Sequence, residues 1–204
     1  MIKIALFGTS ADPPTAAHQQ ILQWLSHHYD QVAVWASDNP FKSHQTSLRH
    51  RAAMLQLLIE AIQPPRDNIQ LHQDLSSPRA LLTLERAQQR WANAEFTLVI
   101  GSDLIGQLPR WYRVADLLEQ VKLLVVPRPG YPVVNIDLQR LTDLGADVAI
   151  ASLMGLRLSS TDYRETRDAQ GLIPPIEAYI HREHLYECPD AVPKSLVTPS
   201  PSGH

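Results

Sequence analysis

The sequence predicts an α/β fold, a doubly wound and mostly parallel sheet with helices on both faces. Three observations carry that reading. Short apolar runs of strand length recur at about thirty-residue intervals, the spacing of crossover units. Several of the runs lack apolar–polar alternation, as strands covered on both faces do. The segments between them repeat apolar residues at helical spacing. With 204 residues, of which 44% are hydrophobic and 19% charged, the chain has the length for one domain with a substantial core.

The elements follow in order. Ile2–Phe7 (IKIALF) is the first strand, and Ile21, Leu22, Leu25 and Tyr29 form the stripe of the first helix. Val32–Trp35 is the second strand, followed by a helix whose stripe is Met54, Leu55, Leu58 and Ile62. Ile69–His72, Phe96–Ile100, Leu123–Val126 and Val148–Ala151 supply the remaining strands. The domain is expected to span residues 1–188. Residues 189–204 (DAVPKSLVTPSPSGH after Pro189) are rich in Pro and Ser, and are expected to form a disordered tail.

Composition narrows the function. A net charge of −3 provides no broad basic face, so neither nucleic acid nor an anionic membrane is an expected partner. Cys188 is the single cysteine, which excludes an internal disulfide and fits a reducing compartment. The first apolar run is too short for a signal-peptide core, and no stretch reaches the ~20 apolar residues of a membrane span. A cytoplasmic location is expected. His181, His184 and Cys188 give only three ligands in an uncommon order, so no protein metal site is expected.

In an open parallel sheet, ligands bind beyond the carboxyl ends of the strands. The stretch GTSADPPTAAH (8–18) occupies that place after the first strand. Gly8, Thr9 and Ser10 are small enough to let backbone approach a phosphate, and the amides of the following helix would face it. Pro13 and Pro14 fit the first turn of that helix. Thr15 and His18 are three apart, so a hydroxyl and an imidazole can share one face. The same pair also reads as an N-cap beside a surface histidine. Neither the G-x-G-x-x-G of dinucleotide folds nor the P-loop pattern is present, which argues against dehydrogenase and P-loop ATPase activities.

A second candidate anion site, Leu158–Arg164 (LSSTDYR), follows the last strand. Ser159, Ser160 and Thr161 are hydroxyls at a helix start, and Arg164 could grip phosphate oxygens in a fork. Helix capping is the competing reading. At the end of the fourth strand, Gly101 and Asp103 precede Trp111 and Tyr112. A carboxylate there can accept from ribose hydroxyls, and the aromatics can either stack on a flat ring or fill the core.

Thr15-Ala16-Ala17-His18 resembles the (H/T)-x-G-H motif of the nucleotidylyltransferase superfamily, and Ser159–Arg164 resembles its I-S-S-T-x-x-R motif. Gly101-x-Asp103, the Trp-Tyr pair, Arg128-Pro129-Gly130-Tyr131 and IPPIEAYIHREHLY (173–186) narrow the likeness to bacterial nicotinate-nucleotide adenylyltransferases. The resemblance implies a Rossmann-like nucleotidyltransferase fold. It also implies transfer of AMP from ATP to nicotinate mononucleotide, giving the deamido dinucleotide and pyrophosphate, with Mg²⁺ carried on the ATP. His18, Thr15 and Arg164 would be catalytic, and Gly8, Thr9, Ser10, Gly101, Asp103, Ser159, Ser160 and Thr161 would complete the ATP site. Lys42, in the Asn39–His44 loop, would face the acceptor with Trp111 and Tyr112. Where the family shows Ser-Tyr-Thr this chain has Ser77-Pro78-Arg79, so Arg79 could meet the nicotinate carboxylate with its charge. An exposed Arg at a helix start is the alternative. Amide mononucleotides, phosphopantetheine as acceptor and a non-enzymatic nucleotide-binding module are the rival functions.

Overall fold

The computed structural model of the chain describes residues 1–40, 42, 46–153 and 155–186. Cys188 and the expected 189–204 tail lie outside the described residues, as do Phe41, Ser43 and His44 of the loop around Lys42. Six strands form one sheet: β1 (Ile2–Thr9), β2 (Gln31–Ala36), β3 (Ile69–Leu71), β4 (Ala94–Gly101), β5 (Lys122–Val126) and β6 (Asp147–Ile150). Their order is β3-β2-β1-β4-β5-β6, and every pairing is parallel. All six apolar runs are therefore strands of the predicted sheet.

The helices are α1 (Ala16–His28), α2 (Leu48–Glu60), α3 (Ala80–Arg90), α4 (Val114–Leu118), α5 (Asn135–Asp143), α6 (Ser160–Thr166) and α7 (Pro174–Arg182). Two cores lie on the two faces of the sheet. Ile4 and Leu6 pack on one face with Trp35, Phe96, Leu98 and Leu84. Ala5 and Phe7 pack on the other with Leu22, Leu25, Met54, Leu55, Leu58 and Ile180. Side chains of a strand alternate in direction, so a strand covered on both sides must be apolar at every position. β1 meets that demand over its buried stretch, Ile4 to Phe7, and β6 does not. β6 is an edge paired only to β5, and Ile150 is 47% exposed.

The chain runs from β1 outward to β2 and β3, then crosses back to place β4 on the other side of β1. This reversal opens a crevice beyond the ends of β1 and β4, where a ligand can enter without meeting a crossover helix. Ile4 pairs with Phe96 and Leu6 with Leu98, so both strands end at one level, near Thr9 and Gly101. None of the helices among the described residues is long and apolar enough to cross a membrane.

Candidate active site

The crevice is a cavity of about 910 Å³, within the size range of small-molecule sites. Gly8, Thr9, Ser10, Ala11 and Asp12 form one side, and Gly101, Asp103, Arg128, Arg157, Ser159–Asp162 and Arg164 form the others. Gly8 is fixed by packing: a Cβ there would sit 2.6 Å from the Trp35 indole. Ala11 adopts φ +46, the left-handed region that costs an L-residue about 1–2 kcal/mol. Pro13 and Pro14 were expected inside the first helical turn but precede it. Thr15 is the N-cap, and α1 begins at Ala16.

Thr15 and His18 do not share the cavity face. Thr15 is only 1% exposed, while His18 lines the cavity. The Thr15 amide donates to His18 Nδ1 at 3.1 Å, and the Thr15 hydroxyl lies 3.0 Å from the same nitrogen. An Nδ1 that accepts from an amide carries no proton, so the neutral ring keeps its proton on Nε2. Burial, then the charges of Arg128 and Lys42, push the His18 pKa from 6.5 down to about 3. Thr15 thus holds the imidazole through Nδ1 and lies behind the cavity surface.

The second motif is stitched to this loop. Ser160 Oγ donates to the Pro13 carbonyl at 2.7 Å, and Arg164 Nη1 donates to the Asp12 carbonyl at 2.7 Å. Arg164 Nη2 donates to Thr161 Oγ1 at 3.2 Å. Ser159 caps α6, its Oγ accepting from the Asp162 amide at 3.0 Å. The segment therefore combines a helix cap with contacts to the first loop, and it lines the cavity. Part of the Arg164 fork is engaged with the first motif, and the residue also lines the cavity.

At the end of β4, Asp103 Oδ2 accepts from Arg128 Nη1 at 3.0 Å and lies 3.8 Å from Lys42 Nζ. Asp103 Oδ1 is buried and meets no donor among the described residues. Gly101 makes room for this group, because a Cβ would stand 2.4 Å from Asp103 Oδ1 and 2.8 Å from Arg128 Cδ. Burial holds the Lys42 pKa below its ordinary value, and the Asp103 carboxylate offsets only part of that.

Trp111, Tyr112 and Arg79 do not line the cavity. Trp111 follows a 3-10 helix (Ser102–Arg110) and packs half-buried against the core beside β4. Tyr112 is 45% exposed, with the Arg79 guanidinium stacked 4.4 Å from its ring centre. Arg79 is the N-cap of α3 and is exposed. The pair forms an outer platform of one cation and one ring.

Residues 6–166 match the model of the cytidylyltransferase-like family. A curated relative, the "probable nicotinate-nucleotide adenylyltransferase" of Synechocystis sp., is 46% identical over 91% of this chain and 99% of its own length. The chain belongs to this family. A relative of the same description from Gemmatimonas aurantiaca is 31% identical, over 91% of this chain and 92% of its own. A solved structure, the Plasmodium falciparum nicotinic acid mononucleotide adenylyltransferase complexed with NaAD, superposes with a TM-score of 0.78 at 20% identity. That match covers 91% of this chain and 98% of the other, and establishes the shared fold.

Within this cytidylyltransferase-like frame, two cavity arginines have no role predicted from the sequence, Arg128 and Arg157. Arg128 stands two residues past the end of β5, the position at which ligand-facing residues of such sheets occur. That position was the available signal. Arg157 follows β6 in an irregular segment and offers no comparable pattern. Among the described residues no group of three or more His, Cys, Asp or Glu could hold a metal ion.

Proposed function

We propose that the chain is a nicotinate-nucleotide adenylyltransferase, moving AMP from ATP to nicotinate mononucleotide and releasing pyrophosphate. The observation that carries this reading is the stitching of the two motifs, Asp12 and Pro13 to Arg164 and Ser160, into one wall of the switch-point cavity. Family membership supports the same chemistry.

An oxygen of the acceptor's 5′-phosphate attacks the α-phosphorus of ATP in line, and the bond from that phosphorus to the bridging oxygen breaks. Pyrophosphate leaves with the bonding pair, and no covalent enzyme intermediate forms. Catalysis is then positioning together with charge stabilisation. His18 Nε2–H donates to a phosphoryl oxygen as negative charge grows there. Thr15 holds the ring in that tautomer. Thr9 and Ser10 approach the triphosphate from the loop, with Gly8 giving the backbone its path. Ser159, Ser160, Thr161 and Arg164 face the β- and γ-phosphates, and Asp103 accepts from ribose beside Gly101. Lys42 faces the incoming phosphate. Mg²⁺ arrives on the ATP, as part of the substrate.

The Arg79–Tyr112 platform provides an outer station for the pyridine ring, with Trp111 beside it. The exposed Arg79 guanidinium offers the nicotinate carboxylate a two-pronged, charge-assisted bond. Incubating the protein with ATP, Mg²⁺ and either the acid or the amide mononucleotide tests the reading by pyrophosphate release. The acid should be the preferred acceptor, and Arg79→Ala should raise its KM by roughly ten- to a hundred-fold relative to the amide. Release with neither acceptor refutes the activity. An equal effect of the substitution on both returns Arg79 to an exposed N-cap.

A further inference from the structure

Arg51 is a charged side chain that the transfer chemistry does not use, yet it is only 2% exposed. It stands on α2, on the turn before Met54 and Leu55, and reaches under the cavity. Its Nη1 donates at 2.8 Å to the Ser10 carbonyl and at 2.8 Å to the Ser37 carbonyl, and its Nε donates at 3.3 Å to the Thr46 carbonyl. Ser10 follows β1, Ser37 follows β2, and both line the cavity. The two strands pair as far as Thr9 and Ala36, with one more bond from the Ser37 amide to the Thr9 carbonyl at 2.8 Å. Beyond that point the strands part, and one guanidinium nitrogen spans the gap.

The same loop is held from the other end of the chain. Asp12 Oδ1 accepts from Thr46 Oγ1 at 2.6 Å and from the Tyr186 hydroxyl at 2.7 Å. All three groups are buried. Burial raises the Tyr186 pKa, which keeps the hydroxyl protonated and donating. Asp12 in turn lies one residue from Pro13, whose carbonyl is bound by Ser160.

We propose that Arg51 is a positioning residue for adenylyl transfer: it fixes the loop after β1 against the loop after β2 and so sets the alignment of the two nucleotides, with Tyr186 locking the first loop from the far side. The inference rests on the reading of the cavity as the place where ATP and a mononucleotide meet. The loop after β1 carries the ATP contacts, and the loop after β2 leads to Lys42 and the acceptor. Each loop can bind its own substrate without the other. Only their separation decides whether the attacking oxygen lies in line. A lysine cannot replace the arginine here, because one ammonium lacks the planar fork that reaches three carbonyls in different directions.

Arg51→Lys and Tyr186→Phe test this with steady-state kinetics, calorimetric titration of ATP and amide hydrogen exchange. Small misalignments of reacting groups cost up to ~10²-fold in rate, so Arg51→Lys should lower kcat by ~10- to 100-fold. Loss of kcat alone marks a transition-state effect, so KM for each nucleotide and the ATP affinity should stay within about threefold. Tyr186→Phe, which keeps the ring, should lower kcat by about three- to tenfold with the same unchanged KM values. Exchange should quicken in 10–15 and 37–39 together in Arg51→Lys while the sheet stays protected. Unchanged kcat in a folded variant overturns the inference, as does a raised KM with kcat preserved. If Arg51→Lys fails to fold, Tyr186→Phe decides by the same criteria. If the parent releases no pyrophosphate, the proposed function falls, and the exchange pattern alone decides the role of Arg51.

Discussion

His18→Asn separates the electrostatic and chemical claims made for the site. The His18 pKa is pushed from 6.5 down to about 3, chiefly by loss of solvation at the cavity wall and secondarily because Arg128 and Lys42 lie close. Between those values the unfolded chain binds a proton that the folded chain refuses. The resulting stability is fully present above the unfolded pKa and is lost as pH falls toward the folded one. Linkage over that interval gives a loss of about 2 kcal/mol between pH 7 and pH 5 from His18 alone. For a chain of this length that is roughly 4–8 °C in Tm. Asparagine places an oxygen close to the position of Nδ1, so the Thr15 amide keeps its acceptor, but the side chain neither titrates nor replaces Nε2–H. The variant should therefore lose about 2 kcal/mol less than the parent between pH 7 and pH 5 in urea melts. Its turnover at neutral pH should fall by ~10²-fold or more, the effect of removing one donor from developing charge. Parallel pH dependence in the two proteins would show that His18 is not held neutral. Turnover within a few-fold of the parent would remove the ring from the transfer step.

Gly8→Ala drives a methyl group to 2.6 Å from the Trp35 indole, which is itself buried. Overpacking of this kind costs about 1–3 kcal/mol, so Tm should drop and ATP affinity should weaken as the loop shifts; an unchanged melt would show that the indole has room. Arg164→Lys keeps the charge but gives up the fork that joins the Asp12 carbonyl and Thr161. Its KM for ATP should rise by about tenfold, equivalent to ~1.4 kcal/mol, with the mononucleotide KM nearly constant. Equal KM values for ATP in variant and parent would leave α6 with capping and stitching only.

The sheet was legible because its strands are buried on both faces. Ile4 through Phe7 cannot alternate with polar residues when two cores claim them, and Phe96 through Ile100 obey the same constraint. β6 was found by its position and β-branched content, although its exposed edge follows a different rule. The loop after β1 was legible as a ligand loop from Gly8, Ser10 and the Thr15/His18 spacing. Its internal division of labour was not, because which side chain turns to the cavity depends on the cap geometry of α1. Arg51 gave no signal. A lone arginine beside Met54 and Leu55 reads as the solvated margin of an amphipathic helix, and its partners are backbone carbonyls, which every residue type supplies equally. Tyr186 was legible only as part of a family-like segment, since its partner Asp12 lies 174 positions away.

That separation has a consequence for how the protein comes into being. The bonds from Ser160, Arg164 and Tyr186 to the first loop span 147, 152 and 174 positions. At ~5–20 residues per second, a ribosome needs roughly 10–35 seconds to travel from Asp12 to Tyr186. β1 and β2 can pair early in that interval, whereas the cavity wall formed by α6 is missing until the last helices emerge and dock. Contacts so distant along the chain are closed late. Detachment of α6 and α7 would disable nucleotide binding while the six strands stay paired, so capture of ATP during refolding reports the docking of these helices and not the assembly of the sheet.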